Sequence, residues 1–270
     1  MRWLERLPDL VRECHERWDL VGDGTFPDEF RYVDLRHVEP VRTRDGVAAV
    51  LKLAPSLRGE LAALEWFSGR GAVRVLASDP AGGAMLLERA LPGTALRDLA
   101  AHDDEAATAA AAGVMGALWR PVPAGHGFET VREWGEDLAG RGRAANLYAE
   151  LCDSMGEQVV LHGDLHHDNV LRSGRDGWLA IDPAGVVGER AYETGALLRN
   201  PWPGFLDTPD PARTTRRRAD QLAEALDLDV QRVCAWGYTQ AVLAAVWFEQ
   251  DGHDPSHAYA CADLLEPLTR

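Results

Sequence analysis

The stretch VVLHGDLHHDNVLRSGRDGWLAIDPAG, residues 159–185, constrains this chain more than any other. Val159-Val160-Leu161 is a short apolar run, which predicts a buried strand. His162-Gly163-Asp164 comes next. Val170-Leu171-Arg172 predicts a second strand, Ser173 to Gly177 a five-residue turn, and Trp178 to Ile181 a third strand. Closing that hairpin sets Arg172 opposite Trp178, Leu171 opposite Leu179 and Val170 opposite Ala180. Asn169 then lies beside Ile181 and Asp182 at the open end.

One amide oxygen and one carboxylate therefore meet at one point. Both are hard oxygen ligands, which Mg²⁺ takes together with waters and phosphate oxygens. Asp164, at the end of its own strand, can accept the proton of an attacking hydroxyl. Asp164 and Asn169 stand in the D-x-x-x-x-N spacing of a kinase catalytic loop, and Asp182-Pro183-Ala184 occupies the place of the metal-binding Asp-Phe-Gly. That spacing alone is weak, and an ordinary hairpin with polar ends would also produce it. The preceding His-Gly, the flanking apolar strands and a second Asp at hairpin distance make it strong. A rival reading gathers His162, His166 and His167 with Asp164 and Asp168 into a metallohydrolase site. All three histidines lie in one six-residue loop, and that reading leaves Asn169 and Asp182 unexplained. His162 is expected to brace the loop by hydrogen bonding, and His167 and Asp168 to be loop surface.

The rest of the chain predicts an α+β fold. Residues 3–18 space Leu4, Leu7, Leu10, Val11 and Cys14 as an amphipathic helix. Strand, turn and strand run through Arg31–Ala54, with Asp45-Gly46 as the hairpin turn. Residues 59–68 predict a helix, and residues 73–78 and 84–90 two strands. Leu91-Pro92-Gly93 is the first convincing break. Beyond it the pattern turns helical over Thr94–Leu118 and 129–155, and again over 213–227, 229–250 and 254–268. We expect a β-rich lobe over residues 1–90, a mostly helical lobe over residues 91–270, and a cleft between them.

Lys52 sits among apolar neighbours in AAVLKL, on a strand matching the V-A-I-K strand of kinases. A lysine there is costly to bury without anionic partners. It would contact a nucleotide's phosphates, with Glu60 on the next helix as its ion-pair partner and Glu65 as the weaker candidate. Met85–Ala90 would form the hinge, where the backbone at Glu88 and Ala90 reads the adenine edge. The Walker A and G-x-G-x-x-G patterns, the G-x-S-x-G elbow and H-E-x-x-H are absent.

The formal net charge of −15 repels phosphate backbones, so nucleic acid is an unsuitable partner and a cationic small molecule a suitable one. Cys14, Cys152, Cys234 and Cys261 are scattered, without zinc or disulfide spacing. The charged N-terminus does not read as a signal peptide, and no run of about 18 apolar residues exists. A cytoplasmic protein without a membrane partner is expected; the oligomeric state stays open.

LHGDLHHDNVL followed by WLAIDPAGVVGERAYE resembles the aminoglycoside phosphotransferases, and more narrowly the streptomycin 6-kinase branch grouped with hydroxyurea kinases. WLERLPDLVRECHERWDL, DGVAAVLKL, GRGAVRVL, MLLERALPG and AWGYTQAVLAAVWFEQDG extend the similarity over essentially the whole chain. The resemblance implies a protein-kinase-like two-lobe fold that uses ATP and Mg²⁺. It implies Asp164 as catalytic base, Asn169 and Asp182 as Mg²⁺ ligands, and Lys52 on the α/β phosphates. It implies phosphorylation of an antibiotic hydroxyl, streptomycin first. A kinase of choline, homoserine or a sugar, or a non-catalytic nucleotide-binding relative, is the alternative. Two departures stand out. Asp28-Glu29-Phe30-Arg31-Tyr32-Val33 is bulky and acidic where the family covers the phosphates with small residues. Glu193 stands where the family commonly has Asp. Glu249 and Asp251 are the favoured acidic residues for a cationic substrate, with Trp202 and Trp247 as stacking candidates.

Overall fold

The computed structural model describes residues 2–26 and 36–270. The phosphate-covering turn expected at 28–33 lies outside the described residues.

Alternation along one strand explains the first lobe. Strand β3 (Ala48–Leu53) sits inside a five-stranded antiparallel sheet of order β1 (Leu20–Gly22), β2 (His37–Thr43), β3, β5 (Ala84–Glu88), β4 (Val75–Asp79). Successive side chains point to opposite faces. Ala49, Leu51 and Leu53 therefore share one face, which packs with Leu86 against Leu7, Leu10 and Cys14 of helix α1 (Arg2–Trp18). Lys52 is forced onto the other face, toward helix α2 (Arg58–Phe67) and the second lobe. The β2–β3 turn closes with Gly46 donating to the Thr43 carbonyl at 2.9 Å, with φ at +86°, which glycine tolerates.

The second lobe begins differently from the sequence expectation. Thr94–Leu118 is not one helical run. Strand β6 (Pro92–Ala95) joins the hairpin strands β9 (Val170–Ser173) and β10 (Gly177–Ala180) in a second sheet. Helix α3 (Leu96–Ala100) then stops before α4 (Asp104–Leu118), because the Asp103 carboxylate caps the new helix by accepting from the Ala106 amide. The amphipathic stretch 129–155 is also broken. It divides into strand β7 (Glu129–Thr130), helix α5 (Val131–Trp134), a 3₁₀ turn and helix α6 (Arg143–Asp153). Gly140 and Gly142, both at positive φ, interrupt the helical course.

The register of β9 and β10 is the expected one: Arg172 pairs with Trp178, Leu171 with Leu179, and Val170 with Ala180. A third sheet, β7–β11–β8, places β11 (Val186–Glu189) beside β8 (Gln158–Leu161). Helix α7 (Gly195–Leu198) comes after it. Helix α9 (Val230–Gln250), buried along Val233–Val246, is the axis on which α6, α7, α8 (Pro211–Leu226) and α10 (Ser256–Leu265) pack. The four cysteines are free and buried. Among the described residues no helix is long and apolar enough to cross a membrane.

The β9–β10 hairpin belongs to the second lobe's site yet is fastened to the first lobe. Arg175, in its turn, donates to both Glu88 oxygens at 2.9 and 3.1 Å and to the carbonyls of Gly69 and Ala72 at 2.8 and 2.9 Å. Ala180 and Val73 add backbone bonds across the same seam. Removing the guanidinium would leave Glu88 and two carbonyls short of donors. Arg175→Ala is expected to cost about 2 to 3 kcal/mol in urea unfolding. A change below about 0.5 kcal/mol would reduce the clamp to an ordinary surface pair.

Candidate active site

The site is assembled from the end of β3, the first turn of α2, the loop after β8 and the segment after β10. Lys52 is only 5% exposed. Its ammonium donates to both Glu60 oxygens at 2.7 Å and also to Asp182 Oδ1. Glu65 is exposed, so Glu60 is the partner of the two candidates.

Two glycines bring these carboxylates to one lysine. A Cβ on Gly59 would lie 2.7 Å from the Ala184 carbonyl oxygen, and one on Gly185 would lie 2.8 Å from the Gly59 carbonyl. Backbone therefore meets backbone where α2 touches the loop following Asp182. That contact is not legible in the sequence, because the two glycines belong to different lobes. Arg36, just before β2, donates to Asp182 at 3.0 and 3.3 Å and carries no sequence signal either. Burial pushes the Asp182 carboxyl up, but Lys52 and Arg36 outweigh it and hold it below the usual carboxylate range. Glu60, more deeply enclosed and facing Asp182, is pushed up to about 7 by burial, against the pull of Lys52.

The loop carrying Asp164 is held from beneath. Buried Glu193 accepts the amides of His162 and Gly163 at 2.7 and 2.9 Å, so this glutamate braces the loop with one carboxylate. His162 bonds the Ile181 carbonyl through Nε2 at 2.8 Å and accepts the Asp164 amide at Nδ1. Burial drives its pKa down to about 4, so the ring is neutral. Asp164 itself is 44% exposed at the cleft floor. Arg199 donates to it at 3.1 Å and His166 Nε2 lies 3.5 Å away. Burial opposes its charge, yet His166 and Arg199 hold its carboxyl well below the usual range.

Asn169 bonds the Ile181 amide through its own carbonyl at 2.9 Å, and its Nδ2 donates to the Asp164 carbonyl at 2.9 Å. With its Nδ2 bound to the loop and its backbone carbonyl bound to the residue before Asp182, Asn169 keeps its amide oxygen without a hydrogen-bond donor among the described residues. No cluster of three His, Cys, Asp or Glu among the described residues could hold a metal alone. Two hard oxygens with room left for phosphates and waters fit Mg²⁺, which keeps much of its shell outside the protein. The three histidines do not converge: His162 is consumed in hydrogen bonds, and His167 is fully buried with both ring nitrogens unpartnered among the described residues. The expectation of His167 as loop surface is corrected, since it packs inward near Arg218 and Asp104. Asp168 is not free surface either, being paired with Arg97 at 2.5 Å.

At the expected hinge, the Glu88 amide already donates to the Arg74 carbonyl at 2.8 Å, and its side chain binds Arg175. The Ala90 amide has no hydrogen-bond partner among the described residues. Glu88 and Ala90 thus take no part in the ionic cluster around Lys52.

Beside Asp164 opens a pocket of about 680 Å³, walled by Trp134, Trp202, Trp247, Asp168 and Asp251, with Arg199 at its floor. Glu249 is not part of it; Arg141 and Tyr259 hold that carboxylate at 2.6 and 2.7 Å. Carboxylates and indole faces together suit a cation. The arrangement as a whole can hold a polyphosphate and a divalent ion on one side of Asp164 and a hydroxyl-bearing molecule on the other.

The family described as aminoglycoside/hydroxyurea antibiotic resistance kinase matches residues 17–252. The streptomycin 6-kinase of Streptomyces glaucescens is 35% identical over 275 residues, covering 93% of this chain and 85% of that protein. The streptomycin 3''-kinase of Klebsiella pneumoniae is 35% identical over 258 residues, covering 88% and 91%. Among solved structures, the choline kinase LicA of Streptococcus pneumoniae has the same fold, with a TM-score of 0.65 and 11% identity over 98% of this chain and 99% of that one.

Two substitutions test this geometry. Glycine to alanine in a helix normally gains up to about 1 kcal/mol. Gly59→Ala is instead expected to lose roughly 1 to 3 kcal/mol in denaturant unfolding, because its methyl strikes backbone; a gain would refute the close approach. His167 titrates well below its ordinary value because it is buried beside cations. The unfolded chain therefore takes up a proton, as pH falls below about 6.5, that the folded chain does not, and stability is lost on that side. His167→Leu removes this loss and the unsatisfied nitrogens. Its melting temperature should exceed that of the wild type by a margin that widens from pH 7 to pH 5. A margin that narrows on acidification would contradict a neutral buried ring.

Proposed function

The chain belongs to the aminoglycoside/hydroxyurea antibiotic resistance kinase family, and we propose that within it this protein phosphorylates an aminoglycoside hydroxyl, the 6-hydroxyl of streptomycin. Its class is that of a small-molecule kinase, and catalysis in this family is ATP- and Mg²⁺-dependent phosphoryl transfer.

The observation that carries the substrate reading is the pocket beside Asp164. Streptomycin has two guanidinium groups and an amine. Asp251, which has no ion pair among the described residues, supplies negative charge, while Trp134, Trp202 and Trp247 line the pocket with indole rings on which a planar cation can stack. Two relatives of about one-third identity are named as streptomycin kinases, one for the 6 position and one for the 3'' position.

Each residue then has a task. Lys52 binds the α/β phosphates, oriented by Glu60. Asn169 and Asp182 would hold Mg²⁺, which would supply charge neutralisation on the transferring phosphoryl group. Asp164 Oδ accepts the hydrogen bond and then the proton of the acceptor hydroxyl. Arg199 and His166 keep that carboxylate ionised and aimed. Glu193 and His162 fix the loop on which it rides. The Glu88–Ala90 segment lines the adenine edge, with the Ala90 amide as its donor.

A coupled ADP-release assay tests the reading against streptomycin, other aminoglycosides, hydroxyurea, choline, homoserine and simple sugars. Streptomycin is expected to stimulate release, and Asp164→Ala to lower that rate by about 10²- to 10⁴-fold with Mg·ATP binding retained. Stimulation by choline or homoserine and not by streptomycin would move the substrate to a metabolic alcohol. Release by none of them, with Mg·ATP still bound, would favour a non-catalytic role.

A further inference from the structure

We propose that Arg36, a partner of Asp182, is a second phosphate-binding cation of the nucleotide site, and that it moves to the nucleotide's outer phosphates once Asp182 turns to the metal. The inference rests on the nucleotide reading above and extends it to a residue outside the recognised motifs.

Register places Arg36 in the cleft. His37 pairs with Leu53 and Val38 with Lys52 across β2 and β3. Residues directly opposite point to the same face, and residues two apart on one strand share it. Arg36 therefore extends the face that carries Lys52. Contact agrees with register: Arg36 Nη1 reaches both oxygens of Asp182 at 3.0 and 3.3 Å, the carboxylate that also holds Lys52.

Charge then dictates the rearrangement on binding. Arg36 and Lys52 together offset Asp182 and Glu60. A divalent cation at Asp182 would put two further positive charges beside the guanidinium, within a few ångströms. Arg36 must then leave or find a new anion. Its side chain is 41% exposed, so it can reorient without breaking a core. A nucleotide bound together with the metal would bring phosphate oxygens, new anions, into the same cleft. A planar guanidinium matches phosphate oxygens with two parallel donors, which Lys52 as a point charge cannot supply. An ordinary surface ion pair with Asp182 would by contrast contribute about 0 to 1 kcal/mol to stability and nothing to nucleotide binding.

Isothermal titration calorimetry of Mg·ATP, Mg·ADP and adenosine with the wild type, Arg36→Ala and Arg36→Lys separates these. Arg36→Ala is expected to weaken Mg·ATP by about ten- to a hundredfold, the effect of losing a charge-assisted hydrogen bond. Mg·ADP should weaken less and adenosine should bind as in the wild type. Arg36→Lys should fall between wild type and alanine. Unchanged or tighter Mg·ATP binding by Arg36→Ala would overturn the proposal and leave Arg36 as a counterion of Asp182. An equal loss for adenosine would also overturn it, by showing that Arg36 only supports the fold. A wild-type protein that binds no Mg·ATP would sink the nucleotide reading and the proposal together.

Discussion

A single buried ammonium organises the junction between the lobes. Lys52 lies on the inner face of the first sheet because β alternation leaves it no other place. Buried there without carboxylates it would cost several kcal/mol, so its partners are structural requirements. One comes from α2 and the other from the segment after β10, which belongs to the opposite lobe. The lysine therefore joins the two lobes by charge. Gly59 and Gly185 permit this by letting backbone approach backbone at the same place.

A second buried carboxylate does for the loop carrying Asp164 what Lys52 does for the junction. Glu193 accepts two consecutive loop amides, and His162 ties the same loop to the strand end before Asp182. Buried polar groups with satisfied partners are expensive to rearrange. Asp164 is consequently presented from a fixed base, while its own carboxylate stays open to the pocket. Glutamate at this position is long enough to reach both amides. Preorganisation of this kind is what phosphoryl transfer asks of a protein, since the chemistry needs placed charges more than covalent participation.

The pocket is built from two kinds of element. Its floor is the loop, but its walls come from α5, α9 and the turn holding Trp202. These elements can change without disturbing Lys52, Asp164 or Asp182. The choline kinase likeness at 11% identity is a likeness of this shared frame.

Much of the site is legible in the sequence because its signals are local. The hairpin register comes from strand period and turn length, and it places Asn169 beside Ile181 correctly. Lys52 and Glu60 come from a lone charge on an apolar strand and a glutamate in the next helix. His167 is misleading because a polar residue in a polar loop resembles surface, and only the tertiary fold buries it, near Arg218 and Asp104. Thr94–Leu118 resembles a continuous helix because its alanines mask the cap at Asp103. Glu249 looks as suitable as Asp251 until Arg141 and Tyr259 claim it. The sequence by itself determined strands β2 to β5, β8 and the β9–β10 hairpin, and the chemical type of each group, since periodicity and turn preference act over a few residues. Only the tertiary structure decided that Arg36 meets Asp182, that Arg199 meets Asp164 and that Gly59 meets Gly185. Those encounters join elements far apart in the chain, and their geometry is set by how whole faces pack.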